Sequence, residues 1–161
     1  MRLATIRDIP RIAEVATAGF YYSPVFQWER PNHSFFPTDT IESYQKEFAT
    51  LIRDPEYIGI VIEDLWDPKE NNKTNATVPD YNDQVHTTST VVVGVASWKL
   101  QPNSSRQGQF MDLDDQRSDN PPSFERGHGR DRNKLHGEML DKRCNTAEEK
   151  LGLFLPRVAP Y

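Results

Sequence analysis

Residues that could carry nucleophilic or metal chemistry are few in this chain. Cys144 is the only cysteine, and it follows a run of charged residues at 141–143. Because a reactive thiol needs surroundings that stabilise the thiolate, this context favours an ordinary free thiol over a nucleophile. His128 and His136 lie near Glu138 but lack the i, i+4 spacing of a helical zinc motif. A solvated loop is therefore favoured over a metal site.

Adjacent acidic residues suggest a second chemistry, general acid–base catalysis. The pairs at 114–115 and 148–149 lie in polar runs, where neighbouring carboxylates are usually solvated. The sequence contains no G-x-S-x-G nucleophile elbow and no Walker-type phosphate loop. The residues alone therefore assign no catalytic group and no metal ligand.

Aromatic side chains form the strongest candidate for a binding site. Residues 20–28 include Phe20, Tyr22, Phe26 and Trp28. Rigid rings supply a large contact area at small entropic cost, so this segment could line a ligand pocket. Large aromatics are more often packed, and the alternative is that they fill a seam between helices and a sheet.

Two helices must position this aromatic segment. A short strand at residues 3–7 leads into the first helix, with Asp8 as its N-cap and Gly19 as its end. Asp39, with an acidic residue three positions later, predicts the start of the second helix, which Pro55 closes. The predicted buried stripe of the second helix is Ile41, Tyr44, Phe48, Leu51 and Ile52.

Two strands follow, at 57–64 and 90–100, and we expect them to pair antiparallel. Ile60 and Val93 are predicted to be buried in neighbouring strands, and Gly94 to mark a bulge or a close backbone approach. The second strand is apolar enough to be central in a sheet. Because the remaining residues are mostly polar, we expect the chain to be the first part of a larger fold.

Polar insertions are predicted at 65–89 and 101–132, within one partial domain covering 1–161. The low apolar content of 36% and the mean hydropathy of -0.74 agree with such segments. We expect 101–132 to be mobile. Weaker helical patterns occur at 135–140 and 146–155.

Charge and hydropathy exclude two classes of partner. The net charge is -5, and no cationic stripe that could bind a nucleic-acid backbone occurs. No apolar run is long enough for a membrane span, and charged residues interrupt any signal peptide. With its lone cysteine, the chain is predicted to be cytoplasmic.

Several segments carry a resemblance to a known family. They are residues 2–15, the aromatic run at 20–28, the helix end at 52–55 and the strand V-V-G-V-A-S-W at 92–98. Together they look like the opening of a fungal-type GNAT acetyltransferase. Residues 143–161 are similar to the helical insertion that precedes the cofactor-binding strand in that family.

The resemblance implies an α/β fold, a mostly antiparallel sheet flanked by helices and incomplete on its C-terminal side. It implies transfer of acetyl from acetyl-CoA to the primary amine of a small molecule or peptide, with a general base drawing a proton from the amine. Phe20, Tyr22, Phe26 and Trp28 would then form one wall of the acceptor site.

The chain departs from the family at the cofactor loop. Family members hold the acetyl-CoA pyrophosphate on a Q/R-x-x-G-x-G/A loop at a helix N-terminus. The nearest string, at 124–129, has phenylalanine in place of Gln or Arg and no strand before it. We therefore assign no cofactor-binding residue and expect the chain alone neither to bind acetyl-CoA nor to catalyse transfer. The alternatives are a non-catalytic binding module on the same scaffold or a truncated gene product.

Overall fold

A computed structural model describes residues 1–67, 69–70, 74, 76, 90–111 and 129–132. Several features considered in the sequence analysis lie outside the described residues: Cys144, His128, His136, Glu138, the acidic pairs at 114–115 and 148–149, residues 124–128 of the glycine string, and the helical patterns at 135–140 and 146–155.

The described part is an α/β unit with three strands and three α-helices. In chain order the elements are β1 (Arg2–Leu3), a 3-10 turn (Ile6–Asp8), α1 (Ile9–Phe20), α2 (Pro24–Glu29), α3 (Pro37–Arg53), β2 (Tyr57–Leu65) and β3 (Thr90–Lys99). The strands form one antiparallel sheet in the order β1-β2-β3. The predicted antiparallel pairing of the two long strands is confirmed.

The first strand is shorter than the predicted 3–7, because Asp8 turns the chain. Its carboxylate accepts hydrogen bonds from the backbone N–H of Thr5 at 2.8 Å and from the Thr5 hydroxyl at 2.9 Å. Arg2 donates to both oxygens of the same carboxylate, at 2.7 and 2.8 Å. Burial would raise the pKa of Asp8, but the hydrogen bonds from Arg2 and Thr5 outweigh it and hold this pKa below its ordinary value.

The two long helices, α1 and α3, pack against each other and against one face of the sheet. The core that they share with the strands comprises Ala4, Ile12, Ala13, Ala16, Phe26, Ile41, Tyr44, Phe48, Val61 and Val92. The predicted stripe of α3 is thus confirmed at Ile41, Tyr44 and Phe48, while Leu51 and Ile52 are half-buried. Gly59 permits this close packing, because a Cβ there would lie 3.3 Å from Cβ of Ala4.

Both long helices extend beyond their predicted ends. α3 begins at Pro37, before Asp39, because proline fits the first turn of a helix, where no N–H partner is needed. Asp39 is therefore not the N-cap; its carboxylate accepts instead from the backbone N–H of Arg130 at 2.9 Å. α1 continues through Gly19, which does not end it.

A β-bulge decides which valine of β3 enters the core. Val61 pairs with Val95 and Ile62 with Gly94, but Glu63 pairs with Val92, so the register shifts by one residue at this point. Val92 is consequently 4% exposed and Val93 is 41% exposed. The prediction that Ile60 and Val93 are both buried is wrong: Ile60 is half-buried, and Val93 is the unpaired residue of the bulge between Gly94 and Val92, which turns it out of the core.

The opposite face of the sheet is apolar and open in the described part of the chain. Ile62 and Trp98 are about half exposed there, and Ile60 is half-buried. β3 is an edge strand of the described sheet, and β2 is its centre.

Residues 129–132, here called the clasp, pack against α3 and the loop before it. The carbonyl of Arg130 accepts from Nδ2 of Asn32 at 3.1 Å, and its guanidinium pairs with Asp39. Asp131 is fully buried. The clasp is therefore packed in this structure by its own set of ionic partners, and the mobility expected for 101–132 stays a prediction.

Candidate substrate cleft

A cleft of about 540 Å³ lies beside α1 at the bulged edge of β3. Its described lining is Arg11, Glu14, Val15, Ala16, Ala18, Gly19, Phe20, Tyr22, Glu70, Thr74, Val93, Gly94 and Val95. Pockets of 300–1,000 Å³ are the size that binds small molecules and cofactors. The cleft is the candidate site.

The helical repeat of α1 and the bulge of β3 build this cleft. Positions 11, 15 and 18 recur at three- or four-residue spacing, so they share one side of the helix axis, and Tyr22 follows in the turn after α1. Val93 belongs to the opposite wall because the bulge turns it away from the core. The register shift that excludes Val93 from the core thus supplies part of the cleft.

Arg11 organises the charged end of the cleft. Its Nε donates to the carbonyl of Val92 at 3.0 Å, Nη1 to Glu14 at 3.1 Å and Nη2 to Glu70 at 2.7 Å. The guanidinium thus has both carboxylates and a carbonyl as acceptors. One cation and two carboxylates leave the described lining with a net negative charge.

Glu14 is the most buried of these charged groups, with a side chain only 10% exposed. Burial raises the pKa of Glu14, and the nearby Arg11 partly offsets this rise. A buried, oriented carboxylate next to a cavity can hold a ligand cation or accept a proton.

The four aromatic residues predicted to bind substrate do not line one site in the structure. Phe20 and Tyr22 line the cleft, and Phe20 stacks on Tyr44 with ring centroids 6.1 Å apart. Phe26 is 3% exposed and belongs to the core, while Trp28 is absent from the cleft lining. The core alternative is thus confirmed for Phe26, and substrate binding by Phe20, Tyr22 and Trp28 stays a prediction.

The sequence reasoning missed Arg11, Glu14 and Glu70. Arg11 and Glu14 have a sequence signal: they are charged, three residues apart, and continuous with the small residues at 15 and 18 on one side of α1. Glu70 has none, because its pairing with Arg11 spans 59 residues of sequence.

A second polar cluster, at the clasp, is closed rather than open. Arg30, His33, Thr40 and Asp131 are each at most 3% exposed. The Thr40 hydroxyl donates to Asp131 at 2.8 Å, so Nδ1 of His33, also 2.8 Å away, must donate to Thr40. Arg30 also donates to Asp131. Burial lowers the pKa of His33, with Asp131 raising it and Arg30 lowering it further.

Arg30 is held from several sides. It donates to the Ser43 hydroxyl at 3.1 Å, and its guanidinium carbon lies 4.7 Å from the ring centroid of Tyr44. Burial raises the pKa of Tyr44 to about 12, so this phenol stays neutral. The cluster therefore fixes the clasp and leaves no room for a substrate.

No group of three His, Cys, Asp or Glu side chains in the described ranges could hold a metal ion. Nor does any helix within those ranges have the length and apolarity to cross a bilayer.

The chain is similar to a curated protein from Stachybotrys chartarum (strain CBS 109288 / IBT 7711) named acetyltransferase. The two are 33% identical over 111 residues, which is 69% of this chain and 40% of the relative. The chain thus spans well under half of that relative's length. No protein-family model matches the chain, and no solved structure gives a significant match. The similarity supports a relationship to an acetyltransferase.

Proposed function

We propose that this chain is the N-terminal, acceptor-side part of a GNAT-like N-acetyltransferase that transfers acetyl from acetyl-CoA to a primary amine. The similarity to the Stachybotrys chartarum acetyltransferase supports the acyl-transfer chemistry. The antiparallel sheet covered by α1 and α3 is compatible with the opening of such a fold.

The cleft supports the acceptor side of this proposal. Among its described residues, Glu14 and Glu70 against Arg11 give the charged end a net negative charge, and the walls include Phe20 and Tyr22. A protonated amine is attracted by such a site, because unlike charges are favoured in a partly desolvated pocket. This net charge is the observation that carries the assignment of the acceptor to the chain.

The same lining does not fit acetyl-CoA. A pyrophosphate needs free cationic groups or the backbone N–H groups of a helix start. The donors of Arg11 are directed at two carboxylates and a carbonyl, and Glu14 and Glu70 would repel a phosphate. We therefore derive no step through the cofactor from the described residues.

A chimera tests the proposed function directly. The matched segment of the Stachybotrys chartarum protein would be replaced by the whole 161-residue chain, and acetyl-CoA consumption measured with a panel of primary amines. We expect amine-dependent release of the CoA thiol. Gly19→Trp should abolish this release, because Gly19 lines the cleft and has no atom within 4 Å of an added Cβ. Thr50→Trp, at an exposed position of α3, is the matched control.

A folded chimera without transfer, beside an active parent, would contradict the proposal. Calorimetry on the chain alone gives a second check: millimolar acetyl-CoA should give no saturable heat, which bounds the binding free energy at weaker than about -4 kcal/mol. Saturable acetyl-CoA binding would overturn the acceptor-side assignment. Amine binding in a chain whose chimera stays inactive would instead favour the binding module.

A further inference from the structure

We propose that the cleft selects a primary amine with a long apolar body and no carboxylate, such as an arylalkylamine, in preference to an amino acid. This inference rests on the proposed function, because it names the class of acceptor. Its first support is the charge of the described lining. Arg11 faces two carboxylates, so the surplus charge left for a ligand is negative.

A ligand carboxylate would therefore meet repulsion at this end of the cleft. Arg11 is the only cationic side chain of the described lining, and its donors already have acceptors in Val92, Glu14 and Glu70. The carboxylate of an amino acid would have to compete with these acceptors for the same guanidinium, beside two like charges. An ammonium without a carboxylate needs no such rearrangement.

The walls beyond the charged end are apolar. They are formed by Val15, Ala16, Ala18, Phe20, Val93 and Val95. A cavity of about 540 Å³ is far larger than a small alkylamine, so an apolar body is needed to displace water from these walls. Small residues on α1 leave the space, and Phe20 and Tyr22 provide aromatic surface at its far end.

Helix geometry sets the length of the ligand. Glu14 and Phe20 both belong to α1, six residues apart, and a rise of 1.5 Å per residue separates them by about 9 Å along the axis. Six residues also turn the helix so that the two side chains leave its axis about 120° apart, yet both line the cleft, and a ligand that contacts both needs a linker of several carbons. The molecule 4-phenylbutylamine has this shape and serves as the probe.

Three probes of equal length separate charge from shape. They are 4-phenylbutylamine, the neutral 4-phenyl-1-butanol and 2-amino-5-phenylpentanoic acid, which adds only the carboxylate. Calorimetry on the 161-residue chain should show the amine binding at least tenfold more tightly than either analogue. Equal affinity for amine and alcohol, tighter binding of the amino acid, or no binding of the amine would each overturn the inference.

Variants then identify the carboxylate that pairs with the ammonium group of the ligand. Glu14→Gln should weaken amine binding at least tenfold and leave alcohol binding unchanged. Glu56→Gln, which removes a carboxylate paired with Lys99 away from the cleft, should change neither. If Glu14→Gln fails to give a cooperative thermal transition, Glu70→Gln replaces it, because that side chain is 28% exposed. Unchanged amine affinity in the folded variant would refute the role of the carboxylate.

These results are distinguishable from failure of the proposed function. An active chimera that accepts amino acids as readily as arylalkylamines would contradict only the inferred selectivity of the cleft. An inactive chimera, together with tighter binding of the amine probe than of its two analogues by the chain, would contradict only the acetyl-transfer proposal.

Discussion

Asp131→Ala is expected to be among the most damaging single substitutions in the described part of the protein. The side chain of Arg30 is 1% exposed, and removal of Asp131 would leave its guanidinium buried without that carboxylate. Breaking one side of a buried ion pair costs about 3–5 kcal/mol. The Thr40 hydroxyl also loses its acceptor, which adds about 1 kcal/mol. Because domains are stable by only about 5–15 kcal/mol, the loss would be a large fraction of the total.

Equilibrium urea unfolding, followed by circular dichroism, measures this change. Glu56→Ala is the matched control, because Glu56 and its partner Lys99 are 45% and 31% exposed and such exposed pairs contribute below about 1 kcal/mol. The double variant Arg30→Met with Asp131→Leu should recover most of the loss, since an apolar pair leaves no charge buried. A loss below about 1 kcal/mol for Asp131→Ala would refute the reasoning.

Three further predictions concern the core, helix α1 and the loss of stability at low pH. Val92→Asp should lower the free energy of unfolding by several kcal/mol and Val93→Asp by much less, because, of these two residues, only Val92 is buried. Equal urea midpoints for the two variants would contradict the register at the bulge. Gly19→Ala should stabilise the chain by roughly 0.5–1 kcal/mol, measured by thermal unfolding, because its site in α1 is open. The lowered pKa of Asp8 gives stability that is present above its ordinary value near 3.8 and lost as pH falls through the folded value. Asp8→Asn should therefore flatten the decline of the urea midpoint below about pH 4, and an unchanged decline would exclude Asp8 as its source.

Much of the helical layer could be predicted from the sequence. The spacing of Ile41, Tyr44 and Phe48 identifies the buried side of α3, because helical periodicity links neighbouring residues only. The antiparallel pairing of β2 and β3 followed from their apolar alternation. These features depend on local pattern, which a sequence displays directly.

The features that the sequence did not display depend on distant partners. Val93 follows the apolar alternation of β3, but the pairing of Glu63 with Val92 moves it out of the core. Asp131 lies in a polar stretch typical of a solvated loop, but its distant partners Arg30 and Thr40 hold it as a buried residue. Of the residues that line the cleft, Phe20 and Tyr22 were candidates from the sequence. The charged end could not be predicted, because it depends on the long-range contact of Arg11 with Glu70.

The clasp also has a consequence for the order of folding. Arg30 and Asp131 are 101 residues apart, whereas the ends of β2 and β3, Leu65 and Thr90, are only about 25 apart. Each doubling of a closed loop costs about 0.6 kcal/mol, so docking of the clasp carries about 1.2 kcal/mol more closure entropy than pairing of the strands. We therefore expect the sheet and its helices to assemble before the clasp docks, and Arg30 to remain hydrated until that late step. The contact between Asp131 and Arg30, which removes water from the Arg30 guanidinium, would then be the last to form.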